Sequence, residues 1–288
     1  MDRLIAAEFF KLRKRMMTWV VLLIAVGLVV LLYTVLWSTS VRVAHFGEGN
    51  QYTGIDLRRA LFLPGAVPYG LQVVGTFGAI LAMILAAGSI GSEYAWGTVR
   101  LMATAASGRV RLLSAKLLVV CGLTAVGTLI VVLAALAYSL VIALYYGGAS
   151  TSFLSATFVR DQLEAYGRTL LVLAPYVTLA FSVAVIGRST LAGVGTGMGV
   201  AFAEPLIDGL LRTAGSPWKN VPNYLLNANR QIVLLQNKVP AVLPRLGGRG
   251  DVTSLSPPMA GLLLAGYAVA FIALALIVFR RRDIGSGQ

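Results

Sequence analysis

The sequence predicts an all-α membrane protein with six transmembrane helices, and three observations carry that prediction. Of 288 residues, 58% are hydrophobic and 12% charged, against roughly 45–50% and about 25% in a soluble domain. Mean hydropathy is +0.82. The apolar residues also gather into runs that, but for one, are free of Asp, Glu, Lys and Arg and reach the ~20 residues that a hydrocarbon core requires. This balance excludes a water-soluble enzyme and a disordered tail.

The elements follow in chain order. Residues 1–16 form a short interfacial unit. Within it DRLIAAEFFKLRKR sets Leu4, Ile5, Phe9 and Leu12 against Arg and Lys. That pattern suits a helix lying in the headgroup region; a plain stop-transfer flank fits the same residues. Residues 17–288 are then one six-span membrane domain. Its first span is 17–37, too long for a signal-peptide core and followed by no A-x-A-like site, so it is expected to stay in the chain. The second, 71–90, follows the breakers Pro64, Gly65 and Pro68. The third, 117–146, exceeds the bilayer and must tilt or protrude. The fourth is 169–187. The fifth, 191–211, is the least regular, since it holds Glu204, Pro205 and Asp208. The sixth, 259–279, ends against Arg280, Arg281 and Arg282.

Between spans, residues 38–70 are mixed in character, strand or helix fitting equally. The loop 91–116 is amphipathic and interrupted at Gly97 and Ser107-Gly108. The loop 212–258 has two parts. Residues 216–235 carry Leu225, Leu226, Val233 and Leu234 and suit an amphipathic helix on the outer surface, whereas 236–258 are rich in Pro and Gly and read as irregular.

The net charge is +13, which in a soluble chain would suggest nucleic acid. Here it reads as orientation. Lys11, Arg13, Lys14 and Arg15, then Arg100, Arg109, Arg111 and Lys116, then Arg280 to Arg282, cluster beside span ends on one face. The positive-inside rule counts such clusters and places both termini in the cytoplasm. The expected setting is a multi-pass protein of the plasma membrane, with no nucleic-acid partner.

Catalytic chemistry is scarce. Cys121 and His45 are the sole cysteine and histidine, so neither a disulfide framework nor a Cys or His metal cluster can form. No H-E-x-x-H, G-x-S-x-G or P-loop pattern occurs. The chain is therefore expected to be no enzyme, with no catalytic, metal or cofactor-binding residues of its own. The alternating glycines Gly193, Gly195, Gly197 and Gly199 fail the dinucleotide fingerprint, because no strand precedes them and Met198 or Val200 occupies its third position. As helix residues they form two overlapping G-x-x-x-G pairs, Gly193/Gly197 and Gly195/Gly199, suited to close helix packing. Glu204 and Asp208 share a helix face at i, i+4. An acid at membrane depth marks a pathway or gate. The competing position is the outer interface, since Glu204 stands roughly 22 Å above the start of its span at ~1.5 Å per residue. Arg212 is placed to pair with Asp208.

Residues 91–116 carry a sharper pattern: Glu93, then Gly97-Thr98, an apolar Leu101, Arg109 after a small-residue turn, and Lys116 entering a long helix. On residues alone, Tyr94, Trp96, Val99 and Leu101 beside Arg100 fit either a partner-docking surface or a helix resting on lipid. The pattern resembles the ABC-2 family of transporter permeases. EFFKLRKR is similar to that family's N-terminal elbow helix, and PNYLLNAN to the segment after the fifth helix in its bacterial drug- and antibiotic-export members. The likeness spans the chain in topology, with motif matching confined to 91–116. One departure is Ala105-Ala106-Ser107-Gly108, where family members often carry a proline just before the arginine.

The resemblance implies a permease subunit of an ATP-binding cassette exporter. It would move a hydrophobic or amphipathic small molecule, paired with a second permease chain (identical or related) and two copies of a P-loop ATPase that holds ATP and Mg²⁺. The loop 91–116 becomes a coupling helix seated on the ATPase, with Glu93, Tyr94, Gly97, Thr98, Arg100 and Arg109 as its coupling residues, and docking outranks lipid contact. An ion-gradient-driven transporter is the alternative, though the two halves of the chain show no repeat in loop length. An integral-membrane enzyme is a third possibility, weakened by the missing catalytic cluster.

Overall fold

The computed structural model describes residues 2–46, 54–98, 108–145, 155–214, 217–238 and 255–281, and every regular element among them is helical. Six helices are long and apolar enough to cross a membrane, as predicted. Each outruns its charge-free stretch, because loss of charge marks only the hydrocarbon-crossing part of a helix. Backbone bonding carries the rest.

α1 (Asp2–Lys14) and α2 (Met16–Phe46) meet at Arg15. The break is closed by side chains. Thr18 donates its hydroxyl to Leu12 O at 2.7 Å and Trp19 its indole N–H to Arg13 O at 2.9 Å, taking two of the carbonyls that a helix C-terminus leaves open. α1 buries Glu8 and Leu12 and turns Phe9 and Phe10 outward, the disposition of a helix resting at an interface.

α3 (Gly54–Leu61) packs back on α2, so the described part of the mixed stretch 38–70 is helical except for a turn over 62–65. The second span is α4 (Ala66–Val73), a π-helical turn (Val74–Gly78) and α5 (Ala79–Ala95). Gly75 sits in that turn because a Cβ there would lie 2.8 Å from Leu234. α6 (Arg109–Tyr145) is the long third span. α7 (Ala156–Gly187) starts well before the predicted span, its charged first turns held by Glu164 pairing with Arg160 at 3.0 Å and Arg168 at 2.7 Å; such i, i+4 pairs support exposed helix. Pro175 interrupts its bonding, and the Thr178 hydroxyl donates to Ala174 O.

α8 (Thr190–Thr213) follows a tight turn capped by Ser189. A 3₁₀ turn (Trp218–Tyr224) and α9 (Leu226–Leu235) come next, then α10 (Pro257–Arg281). α9 differs from the expected surface helix. Leu226, Ile232, Val233 and Leu234 are buried, because α9 tucks against α7, α8 and α10.

The second and fourth spans form the core. Of their apolar windows 67% is buried, against at most 28% in the other four. Those four wrap the pair and leave apolar side chains facing outward, where lipid replaces protein as the neighbour. Tyr33 ties the first three spans together, its ring 5.4 Å from Tyr69 and 5.6 Å from Tyr138, its hydroxyl donating to Ala66 O.

Candidate functional site

The most densely charged buried place lies on the face that carries the termini, where α1, the end of α5 and the start of α6 converge. α1 supplies Glu8 and Lys11 one turn apart, with Arg15 at the break. α5 supplies Glu93 and Ser92, and α6 supplies Lys116. Lys116 Nζ sits 2.6 Å from Glu8 Oε2 and 2.6 Å from Glu93 Oε1. Lys11 Nζ sits 2.8 Å from Glu8 Oε1 and 2.9 Å from Glu93 Oε1. The four side chains close an alternating ring. Arg15 approaches Glu93 at 3.8 Å and donates to Ser92 Oγ at 2.6 Å.

Glu93 and Lys116 are each 1% exposed in their side chains. Stripping an ion of water costs several kcal/mol, so each is held there by two counter-ions, Glu93 by Lys11 and Lys116 and Lys116 by Glu8 and Glu93. Burial alone would raise the Glu8 carboxyl, but Lys116 and Lys11 outweigh it and hold Glu8 below the usual carboxylate range. Burial likewise opposes the Lys11 charge, and the bonds to Glu8 and Glu93 overcome it, raising Lys11 above the usual lysine range. Glu93 Oε2 is buried with no hydrogen-bond partner among the described residues.

The motif after Glu93 is a helix stop. Gly97 has φ +68, the left-handed conformation that glycine adopts past a helix end. Its N–H donates to Tyr94 O, and the Thr98 hydroxyl donates to Glu93 O at 3.3 Å. Tyr94 packs half-buried on the core. Trp96 is 66% exposed, with the Arg15 guanidinium 5.0 Å from its ring centroid. Arg100 lies outside the described residues, and Arg109 opens α6 with its side chain likewise outside them. A partner contact through the Glu93 carboxylate does not fit this geometry, because that group is spent inside the chain on Lys11 and Lys116.

The other predicted residues separate into distinct places. Glu204 is 8% exposed and accepts from the backbone N–H of Leu226 at 3.0 Å and Asn227 at 2.8 Å. It caps α9 from another helix, supplying the acceptor that Leu225 lacks at the N-terminus and meeting the positive end of its dipole. Asp208 pairs with Arg212 at 2.6 Å, as read from the sequence, so the two acids engage different partners. The glycines divide by face. A Cβ on Gly193 would lie 2.5 Å from Ala180 O and 2.7 Å from Ala87, and one on Gly197 2.6 Å from Met83 Sδ. This pair packs α8 on α5 and α7. A Cβ on Gly195 or Gly199 would meet nothing within 4 Å among the described residues.

Beside the ionic ring an apolar groove of about 270 Å³ runs between α2, α5 and α6, with Phe9 and Arg13 at its mouth and Leu22, Val29, Leu85 and Val131 along its walls. The π-helical turn borders it through Val74 and Gly78. Among the described residues no group of three or more metal-ligating side chains converges.

Reading the sequence alone missed Glu8 and Lys11, and took Lys116 only as a motif residue. Glu8 was detectable as an acid amid the basic amphipathic stretch, and Lys116 as a charge on the threshold of an apolar run. Their meeting joins residues 8, 93 and 116, and sequence spacing cannot show that.

Residues 65–285 match a family described as a protein of unknown function (DUF2705). The match takes in Glu93 and Lys116 and leaves α1 and α2 outside it. No curated protein matches the chain.

Proposed function

The chain belongs to the DUF2705 family of unknown function, and from that premise and the geometry above we propose that it is the membrane-spanning permease subunit of an ATP-driven exporter. One observation carries the reading. The buried ring of Glu8, Lys11, Glu93 and Lys116 binds the interfacial helix to the roots of the second and third spans, on either side of the segment 91–116. A push on that segment then reaches α1, α5 and α6 as one body.

Power comes from a separate P-loop ATPase, two copies per transporter, which holds ATP and Mg²⁺; a second permease chain completes the pathway. The termini face the cytoplasm of a cell bounded by the plasma membrane. The docking surface is built from the exposed Trp96 and the segment through Arg100 and Arg109, with Tyr94, Gly97 and Thr98 shaping its start. Glu93 acts behind it as the internal tie. Closure of the ATPases biases a two-state arrangement of the spans. The apolar groove beside α2 and the mostly apolar spans support a hydrophobic or amphipathic cargo.

The test is copurification and transport. The full chain, isolated from its native membrane, is expected to bring down a P-loop ATPase, and Gly97→Asp and Arg109→Glu are expected to abolish ATP-dependent efflux while leaving the protein in the membrane. Flux that follows a proton gradient without ATP, or normal transport by both variants, would overturn the reading.

A further inference from the structure

The face opposite the termini holds a second, more polar cavity that the coupling arrangement does not use. It is a cleft of about 810 Å³ between the end of α3, the turn leading into α4, the first turns of α7 and the residues just past α9. Its depth can be read from α7. Asp161, Glu164 and Arg168 line it, and the charge-free run begins immediately after, at Thr169. The cleft therefore stands at headgroup level.

Its chemistry has three parts. Phe62, Leu63 and Phe158 form an apolar wall. The rim is basic, since Arg58, Arg59, Arg168 and Lys238 outnumber Asp161 and Glu164. Both acids are already engaged, Glu164 by Arg160 and Arg168, Asp161 by Lys238 at 3.1 Å, so no acid among the described residues pairs with Arg58. The floor is polar and incomplete. Asn237 is 4% exposed; its Oδ1 accepts from Arg168 Nη1 at 3.3 Å while its Nδ2 has no partner among the described residues. Gln162 Oε1 is buried in the same condition. A buried donor and a buried acceptor left open at one cleft are each costly, and both belong to residues that line this cleft. A bound group that both accepts and donates offers each its complement.

We propose that this cleft binds the headgroup of an anionic amphipath. A phosphate or carboxylate sits at Arg58, where charge-assisted bonding is strongest. A hydroxyl or amide accepts from Asn237 Nδ2 and donates to Gln162 Oε1. The start of an apolar body lies along Phe62. The source of such a molecule is either the surrounding lipid leaflet or a free amphipath reaching the protein from solution. The site does not depend on ATP coupling, so it stands or falls separately from the permease reading.

The full chain in a neutral maltoside detergent is titrated with dihexanoylphosphatidylglycerol and dihexanoylphosphatidylcholine, and retention of long-chain phosphatidylglycerol is followed by native mass spectrometry. Preference for the anionic lipid by about tenfold or more is expected, lost by about the same factor in Arg58→Glu and reduced several-fold in Gln162→Leu. Among the described residues neither side chain makes a hydrogen bond or ion pair that the fold requires, and unchanged melting of both variants checks this. Saturation from solution assigns the site to a free amphipath; retention of long-chain lipid alone assigns it to the leaflet. Equal affinity for the two headgroups, or wild-type binding by Arg58→Glu, overturns the proposal.

Discussion

Lys116 Nζ lies 2.6 Å from Glu8 Oε2 and 2.6 Å from Glu93 Oε1, joining two carboxylates that are 85 residues apart in the chain through a cation 1% exposed. Lys116→Met leaves both acids buried with Lys11 as their shared cation and Arg15 at 3.8 Å from Glu93. Removing one partner of a buried ion pair costs about 3–5 kcal/mol. Thermal unfolding in detergent is expected to show that loss, and Lys116→Met combined with Glu93→Gln is expected to recover part of it. A double variant no more stable than the single one would deny the coupling between the two side chains.

The same ring sets a pH dependence with a definite sign. Glu8 is held below its ordinary value of 4.5, so its contribution is complete above that value and is lost as pH falls through the lowered folded value. Lys11 is raised above 10.5; its contribution is complete below that value and is lost as pH rises through the raised one. These two contributions are constant between those limits and are lost beyond them, so the acid limb of stability is expected to be reduced in Glu8→Gln. Melting measured across the range decides it.

Glu204 predicts a local effect. Glu204→Ala removes both acceptors from the start of α9, and losing an N-terminal cap costs roughly 0.5–2 kcal/mol. Hydrogen exchange of Leu226 and Asn227 is expected to accelerate while α5 stays protected, and Glu204→Gln should lie between. Uniform acceleration across the helices would instead place Glu204 in a global role.

The glycine faces predict an asymmetry. Gly193→Leu drives a side chain into Ala180 O and Ala87 and is expected to destabilise by several kcal/mol, as overpacking without room does. Gly195→Leu, two residues on and open to space, is expected to leave the melting temperature of the isolated chain within a few degrees. Size-exclusion profiles and melting curves of the pair test this, and equal damage would mean that the second face is also occupied.

Helices were legible because their signal is local. Charge-free runs located five of the six spans, and an apolar run broken by Glu204 and Asp208 located the fifth in chain order; only their ends moved, since α7 continues on the Arg160–Glu164–Arg168 ladder where hydropathy had already fallen. α9 was legible as a helix but not as a buried one. Its alternation of Leu and Asn suits a surface as well as a core, and Glu204 capping its start from α8 settles which.

Composition and periodicity alone determined the membrane class, the span count and the absence of recognisable catalytic motifs, because those properties follow from how each short segment meets water or hydrocarbon. Only the tertiary structure decided what the charges do. Glu93 looked like a contact offered outward; it is a buried counter-ion, because α1 folds back to bring Glu8 and Lys11 against Lys116. Glu204, which the sequence leaves as a gate or an outer-interface acid, accepts the first backbone N–H groups of α9. A charge in a low-dielectric interior takes its meaning from its nearest partner, and that partner is chosen by packing between distant helices.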